Sequence, residues 1–219
     1  MNDDLKTLFT WLCANRLSLN VAKTEFIIFK PARKNLKNRI TLKLNGKTIF
    51  ESKKIKYLIV DNRLSWNFHI HELCKKLSRI IGILFRLKKM NSPKSILSSI
   101  YFALFKSQIS YGLMAWGTAC KYLTGKILLL QKRAVRIISN ARFNDHTEPL
   151  FKQLQILKLS DLFKHQIASF MYEYDHNDLP EAFNSLFHKV NHSYTTRSIS
   201  LGKLALRKTN PVRYGGSMI

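Results

Sequence analysis

The segment from His69 to Met90 constrains the fold of this chain more than any other part of the sequence. Its apolar residues recur every three or four positions, at Ile70, Leu73, Leu77, Ile80, Leu84 and Leu87. This spacing returns to one face of an α-helix. Lys76, Arg79 and Arg86 fall on the opposite side. The pattern therefore predicts a long amphipathic helix with an apolar face in the core and a basic face in solvent.

The helical pattern continues through most of the remaining chain. We expect a helix from Lys94 to about Lys106, because Pro93 suits a helix start. Residues 125–140 predict another, with Ile127, Leu130 and Ala134 toward the core. Its exposed basic residues are Lys132, Arg133 and Arg136. Pro149 opens a short helix, and residues 160–174 predict one more with Ser160 as N-cap.

The first sixty residues have a different pattern. Asn2 or Asp3 is a plausible N-cap for a helix that ends near Asn15. Residues 23–29 are typical of a strand, and alternation around Asn45-Gly46 predicts a hairpin, since both turn residues tolerate positive φ. Residues 55–60 predict a further strand. The fold class is therefore α+β, with a small antiparallel β part before a mainly α-helical region.

The composition shift near Ser65 suggests three regions. Residues 1–64 form the β-containing part, residues 65–187 the helical part, and residues 188–219 a basic and poorly ordered tail. In that tail, from His188 on, the chain carries Lys and Arg but no acidic residue.

The charge of the chain predicts a polyanionic partner. There are 37 Lys and Arg against 13 Asp and Glu, a net charge of +24. Positive charges in this number repel one another unless nucleic acid or another polyanion neutralises them. Because no apolar run is long enough to span a membrane, no membrane partner is expected.

The cysteines and histidines do not form a recognisable site. Cys13, Cys74 and Cys120 are odd in number and far apart, which favours a reducing intracellular compartment, with nucleus or cytoplasm left open. His69 and His71 would lie about 200° apart on a helix and would not converge on one ion. No metal site is therefore predicted.

Several motifs, taken together in order, resemble one family. The segment WLCANRLSLNVAKTEFIIF (residues 11–29) is similar to the one that follows the catalytic motif in non-LTR, LINE-type (jockey-like) retrotransposon reverse transcriptases. KIKYLIVDNRLSWNFHI (54–70) resembles the segment that grips the primer and leads into the thumb. YGLMAWG, LLQKRAVRIISN, HTEPLFKQLQILKLSDL and HSYTTRS also match the downstream pattern.

The resemblance implies a region at the end of the palm (1–64), followed by thumb and connection (65–187). It implies Lys23 on a palm strand, Tyr57 and Leu58 near the primer end, and helix 69–89 along the template–primer backbone. The expected nucleic-acid-binding residues are therefore Lys23, Tyr57, Leu58, Lys76, Arg79, Arg86, Lys132, Arg133 and Arg136. The expected partners are template–primer RNA and DNA, together with the missing fingers and palm of the polymerase.

The adjacent carboxylates Asp3 and Asp4 could hold metal ions or could begin a helix. In the family, the catalytic motif is an aromatic-x-Asp-Asp lying some tens of residues before the Trp-Leu segment, whereas Asp3 and Asp4 stand only seven or eight residues before Trp11. We therefore expect them to begin a helix. The chain is then a fragment without catalytic residues or a cofactor of its own, since Mg²⁺ is implied only for a complete enzyme.

The sequence departs from the family pattern at one position, and an alternative function stays open. The family glycine of the Tyr-Leu-Gly-Val motif is Ile59 here, where a branched side chain restricts the backbone. Palm strands that have lost neighbours should expose a sheet edge. The alternative function is a domesticated module that binds nucleic acid or protein through its helices and has no enzymatic role.

Overall fold

A computed structural model describes residues 2–29, 40–52, 54–55, 59–183 and 187 of the chain. The chain divides into two compact units, Met1–Glu72 and Leu73–Ile219. The predicted tail 188–219 lies outside the described residues, and the domain boundaries remain predictions.

The first unit begins with helix α1, Asn2–Ala14, which confirms the predicted helix. Asn2 and Asp3, the two residues predicted as its N-cap, both lie within the helix. Asp3 and Asp4 lie in its first turn, where carboxylates face the positive end of the helix dipole. The carboxylate of Asp3 pairs with Lys6 at 3.3 Å. The side-chain oxygen of Asn2 accepts a hydrogen bond from the backbone N–H of Lys43 at 3.2 Å, which ties α1 to the second strand.

The sheet of the first unit contains β1 (Glu25–Phe26), β2 (Leu42–Leu44) and β3 (Lys47–Glu51) in the order β1-β3-β2. β2 and β3 form the predicted hairpin, with positive φ at Asn45 (47°) and Gly46 (73°). β1 pairs with β3 in parallel. The sheet is therefore mixed and not purely antiparallel as predicted, because β1 runs parallel to β3 while β2 runs antiparallel to it. The strand predicted over 23–29 is shortened to β1.

Alternation along the hairpin builds the core of this unit. Leu42, Leu44 and Ile49 are buried, while Lys43 between the two leucines is exposed. The partly buried side chains that pack against them are Leu5, Phe9, Leu19, Val21 and Phe26. Burial of each core residue contributes roughly 1.5–3 kcal/mol relative to exposure. The core thus joins α1 and the sheet through a few side chains.

The strand predicted over 55–60 is wrong. The structure has two short antiparallel strands instead, β4 (Lys54–Ile55) and β5 (Val60–Asp61). The chain reverses between them, and Ile59 has the left-handed φ of 47°. The carboxylate of Asp61 then accepts a hydrogen bond from the backbone N–H of Ser65 at 2.8 Å. Tyr57 and Leu58 lie outside the described residues.

Helix α2, Asn67–Lys89, confirms the helix predicted from the apolar stripe. Ile70, Leu73, Leu77, Ile80 and Leu84 are all buried. Leu87, at the end of the stripe, is half-buried. The helix therefore buries the face that its sequence periodicity selects.

The next helical stretch runs further than the predicted end at Lys106. It consists of α3 (Lys94–Ile100), a π-helical segment (Tyr101–Lys106) and α4 (Ser107–Ser110). Its buried side chains recur every four residues, at Leu97, Tyr101, Phe105 and Ile109. In a regular α-helix a four-residue repeat drifts by about 40° per step. The wider turn of the π segment offsets this drift and keeps the four side chains on one face.

The remaining helices complete the second unit. They are α5 (Leu113–Trp116), α6 (Lys121–Ile138), α7 (Glu148–Gln153) and α8 (Leu159–Asp175), followed by a 3₁₀ turn at Glu181–Phe183. α8 packs on α5 and α6, and α6 also contacts α3 and α7. Pro149 lies in the first turn of α7, as predicted. Ser160 is not the cap of α8, because Lys158 holds that position and the helix begins at Leu159.

The architecture confirms the α+β fold class. Short strands are confined to the first unit, and helices make up the described part of the second unit. Within the described ranges, no helix is both long enough and apolar enough to cross a membrane.

Candidate nucleic-acid interface

The second unit concentrates positive charge to an unusual degree. Residues 73–144 contain fourteen Lys and Arg and no Asp or Glu. This stretch covers most of α2 and all of α3 through α6. Because the cores of these helices are apolar, the cations lie toward the surface, and no carboxylate within the stretch neutralises them. The result is a continuous stretch of sequence that carries cations and no acidic residue, a charge pattern typical of proteins that bind polyanions.

The basic residues predicted on α2 are exposed. Lys76, Arg79 and Arg86 all have exposed side chains. At about 100° per residue they occupy a sector about 80° wide, away from the core stripe. They can therefore meet a phosphate backbone without any rearrangement of the helix. We call these three residues the α2 basic face.

The basic residues predicted on α6 differ from one another in exposure. Arg133 is exposed, whereas Lys132 and Arg136 are half-buried. The guanidinium of Arg136 donates two hydrogen bonds, at 3.1 and 2.9 Å, to the backbone carbonyl of Asp145. Arg136 thus holds the loop after α6 and is only partly available to a ligand.

An open cleft lies between the C-terminal part of α2, the end of α6 and the loop that follows α6. Its volume is about 220 Å³. Phe85 and Lys88 line it from α2, Arg133 and Arg136 from α6, and Phe143 from the loop. We call this feature the aromatic–basic cleft. It places two exposed aromatic rings beside three cations.

The structure brings only part of the predicted site together. Arg133 and Arg136 share the aromatic–basic cleft, while the α2 basic face lies outside its lining. Lys23 is exposed at the end of a 3₁₀ turn in the first unit. Tyr57 and Leu58 cannot be placed, since they lie outside the described residues.

Sequence reasoning missed Phe85, Lys88 and Phe143. Phe85 carried a usable signal, because it is a large apolar residue off the stripe of α2 and is 48% exposed. Phe143 carried another, since it is an aromatic residue isolated among polar loop residues and is 83% exposed. Lys88 gave no signal that separates it from the other lysines.

The carboxylates at the chain start do not form a polymerase-like metal site. Asp3 and Asp4 are exposed on consecutive helical positions, which point about 100° apart. Asp3 is paired with Lys6. In the described ranges, no three His, Cys, Asp or Glu side chains are grouped so that they could hold a metal ion. These donors do not fit the two Mg²⁺ ions that nucleotidyl transfer needs.

The His69 region is structural in its geometry. His69 is buried and meets the ring of Trp66 edge-on, with centroids 6.0 Å apart. His71 is exposed and lies 3.5 Å from the carboxylate of Glu72. Burial raises the pKa of the Cys74 thiol, and the charge of Lys126 partly offsets this rise. A raised pKa leaves less thiolate at neutral pH, and the thiolate is the reactive form of cysteine.

The fold and the charge define an α+β chain whose helical unit presents cations to solvent. The comparisons with known proteins agree with the motifs in the sequence. Over 135 residues the chain is 27% identical to the "RNA-directed DNA polymerase from mobile element jockey" of Drosophila melanogaster. The aligned part covers 58% of this chain and 14% of that protein. The resemblance to a reverse transcriptase of a mobile element is thereby confirmed.

The other two comparisons give no match. No protein-family profile matches the chain. No solved structure matches it either. The similarity therefore concerns 14% of one mobile-element polymerase and does not extend to the activity of that whole protein.

Proposed function

We propose that this chain is a thumb-like region of a non-LTR reverse transcriptase that binds template–primer RNA and DNA through their backbones. The observation that carries this proposal is the stretch 73–144, with fourteen cations and no carboxylate. The exposed α2 basic face adds a surface of the right sign and shape. Binding of this kind needs charge and spacing and does not need a code for individual bases.

The test is the salt dependence of binding to a blunt RNA–DNA hybrid duplex, followed by fluorescence anisotropy. Logarithmic affinity should fall linearly with logarithmic salt concentration, because each neutralised phosphate releases counterions. Replacing Arg79 and Arg86 by alanine should reduce the magnitude of this slope by about two. The matched control replaces Lys152 and Lys164, which are exposed on α7 and α8, and removes the same charge.

Three results would contradict the proposal. Binding that does not depend on salt would exclude backbone contacts by these cations. An equal loss in the control variant would show that net charge alone drives the association. Binding to a protein but not to nucleic acid would favour the domesticated interaction module.

We also propose that the chain by itself does not polymerise. The carboxylates of Asp3 and Asp4 begin α1 and do not converge, so they cannot hold two metal ions. A primer-extension assay with Mg²⁺ and all four deoxynucleotides should give no product. Extension that disappears on changing Asp3 and Asp4 to asparagine would refute this part of the proposal.

A further inference from the structure

The aromatic–basic cleft has properties that backbone binding does not require. A duplex contacts a basic surface through its phosphates, and exposed phenylalanines add nothing to such a contact. Yet Phe85 and Phe143 are among the exposed large apolar side chains of the second unit, and both line the same cleft. Phe143 is 83% exposed, and its two neighbours in the loop, Arg142 and Asn144, are polar.

The loop that carries Phe143 is held in place by hydrogen bonds. The guanidinium of Arg136 donates twice to the carbonyl oxygen of Asp145. The carboxylate of Asp145 accepts a further bond from the backbone N–H of Arg142 at 2.7 Å. This carboxylate is therefore engaged with its own loop. These contacts on either side of Phe143 hold the loop backbone that carries it.

Each aromatic ring of the cleft also has a cation near it. The Lys89 ammonium lies 5.1 Å from the centre of the Phe85 ring. The central guanidinium carbon of Arg136 lies 6.0 Å from the centre of the Phe143 ring. Lys88 and Arg133 contribute further positive charge to the lining. The site thus combines flat apolar surfaces with a cationic rim.

The size of the cleft limits its occupant. The volume of the cleft is about 220 Å³. This is below the range of about 300–1,000 Å³ that is usual for drug-sized ligands. A single flat ring system therefore matches this volume better than a drug-sized ligand does.

We infer that the aromatic–basic cleft binds one unpaired base of a single-stranded nucleic acid, with its flanking phosphates on Lys88 and Arg133. This inference rests on the proposed function and adds a preference for unpaired nucleotides. An aromatic face stacks on any base, so binding is tolerant of sequence. A base within a duplex is already stacked and paired, and therefore does not enter. The cations favour a polyanion over an apolar peptide side chain, which carries no charge to match them.

The test compares an unstructured single-stranded RNA with a blunt RNA–DNA hybrid duplex, both measured by anisotropy at the same salt concentration. The variant Phe143→Ala should weaken single-strand binding by about 5- to 150-fold, the usual effect of losing one stacked base. Its affinity for the duplex should stay unchanged. Phe143→Trp should keep single-strand binding, since tryptophan also stacks. Thermal unfolding of each variant checks that the fold is intact.

The matched control is Phe102→Ala. Phe102 is also an exposed phenylalanine, at 39%, and Lys106 lies 5.3 Å from its ring centre. It does not line the aromatic–basic cleft. Its replacement should leave both affinities unchanged.

The outcomes separate this inference from the proposed function. If both nucleic acids bind but Phe143→Ala behaves like the control, the cleft is not a base site and the backbone proposal stands. If Phe143→Ala weakens both forms equally, the preference for unpaired bases is refuted. If neither nucleic acid binds, both proposals fail, and a protein ligand becomes the explanation of the exposed rings.

Discussion

Ile59 carries backbone strain at a position where the Tyr-Leu-Gly-Val motif predicts glycine. The resemblance to non-LTR reverse transcriptases predicts glycine at the position of Ile59, and the φ of Ile59, 47°, lies in the left-handed region that favours glycine. An L-residue with a side chain pays roughly 1–2 kcal/mol for this conformation, and a β-branched one is unusual there. The structure therefore shows why glycine suits the position between β4 and β5.

Replacing Ile59 by glycine should stabilise the first unit by about 0.5–1 kcal/mol. The gain is less than the full strain, because glycine is also more flexible in the unfolded chain. Urea unfolding and the amide exchange of Val60 and Asp61 would measure it. The adjacent substitution Val60→Gly lies in a strand and should destabilise instead. Loss of stability in Ile59→Gly would show that the isoleucine side chain contributes more by packing than it costs in strain.

Tyr101 gives the second unit a stability that depends on pH. Its side chain is 1% exposed, and burial raises its pKa to about 12, although the hydrogen bond from Gln131 acts in the opposite direction. The neutral phenol is thus favoured in the folded state. The corresponding stability is fully present below the unfolded pKa near 10 and is lost as the pH rises toward 12.

We expect the free energy of unfolding to fall by roughly 2–3 kcal/mol from this group between pH 9 and 12. Lysines and other tyrosines titrate in the same range, so the measurement is the difference between the wild-type chain and Tyr101→Phe. Denaturant unfolding at several pH values would determine it. A difference that stays constant with pH would mean that Tyr101 ionises as readily in the folded as in the unfolded state.

At the scale of elements, one buried side chain joins three helical segments. Gln131 of α6 is fully buried. Its amide nitrogen donates to the hydroxyl of Tyr101 and to the carbonyl of Leu157, both at 2.9 Å. Its amide oxygen accepts from the backbone N–H of Leu159 at 3.0 Å. This last bond engages the first N–H of α8 and explains why the helix begins there without a side-chain cap.

Replacing Gln131 by leucine should destabilise the chain by at least about 2 kcal/mol. The substitution leaves the Leu159 N–H and the Leu157 carbonyl without their partner, and each orphaned buried group costs about 1–3 kcal/mol. Thermal or urea unfolding would measure the loss. Gln153→Leu, at an exposed site on α7, should change stability by less than about 0.5 kcal/mol. Equal effects of the two substitutions would show that the hydrogen bonds of Gln131 do not stabilise the fold.

At the scale of the whole molecule, the net charge of +24 opposes folding. Only 13 carboxylates are available, and exposed ion pairs such as Lys6–Asp3 contribute little. Self-repulsion among the cations of residues 73–144 therefore remains in the folded chain. A polyanion that binds this surface should relieve the repulsion.

Without nucleic acid, the melting temperature should rise as sodium chloride increases from 0.05 to 0.5 M. Over this range the Debye length shortens from above about 10 Å to below about 5 Å, which screens like charges. Differential scanning calorimetry would follow the shift. The variant with alanine at Arg79 and Arg86 should show a smaller rise. A melting temperature that falls with salt would mean that net attraction, and not repulsion, dominates the folded charges.

The sequence by itself determined the features that depend on neighbouring residues. Residue spacing predicts the apolar stripe of α2 and the helix α1, and turn chemistry predicts the Asn45-Gly46 hairpin. The excess of cations follows from composition alone. Their physics is local, since helix faces and turns are set within a few positions along the chain. Binding by Lys23, Tyr57, Leu58 and the basic helix faces stays a prediction.

Only the tertiary structure decided which distant residues meet. Three features depend on contacts between residues far apart in sequence. They are the parallel pairing of β1 with β3, the hydrogen bonds of Gln131, and the cleft that Phe85 and Phe143 both line. The π-helical segment belongs with them, because packing keeps its four-residue repeat on one face. No local pattern encodes such contacts, because their energy comes from burial against a surface that exists only in the folded chain.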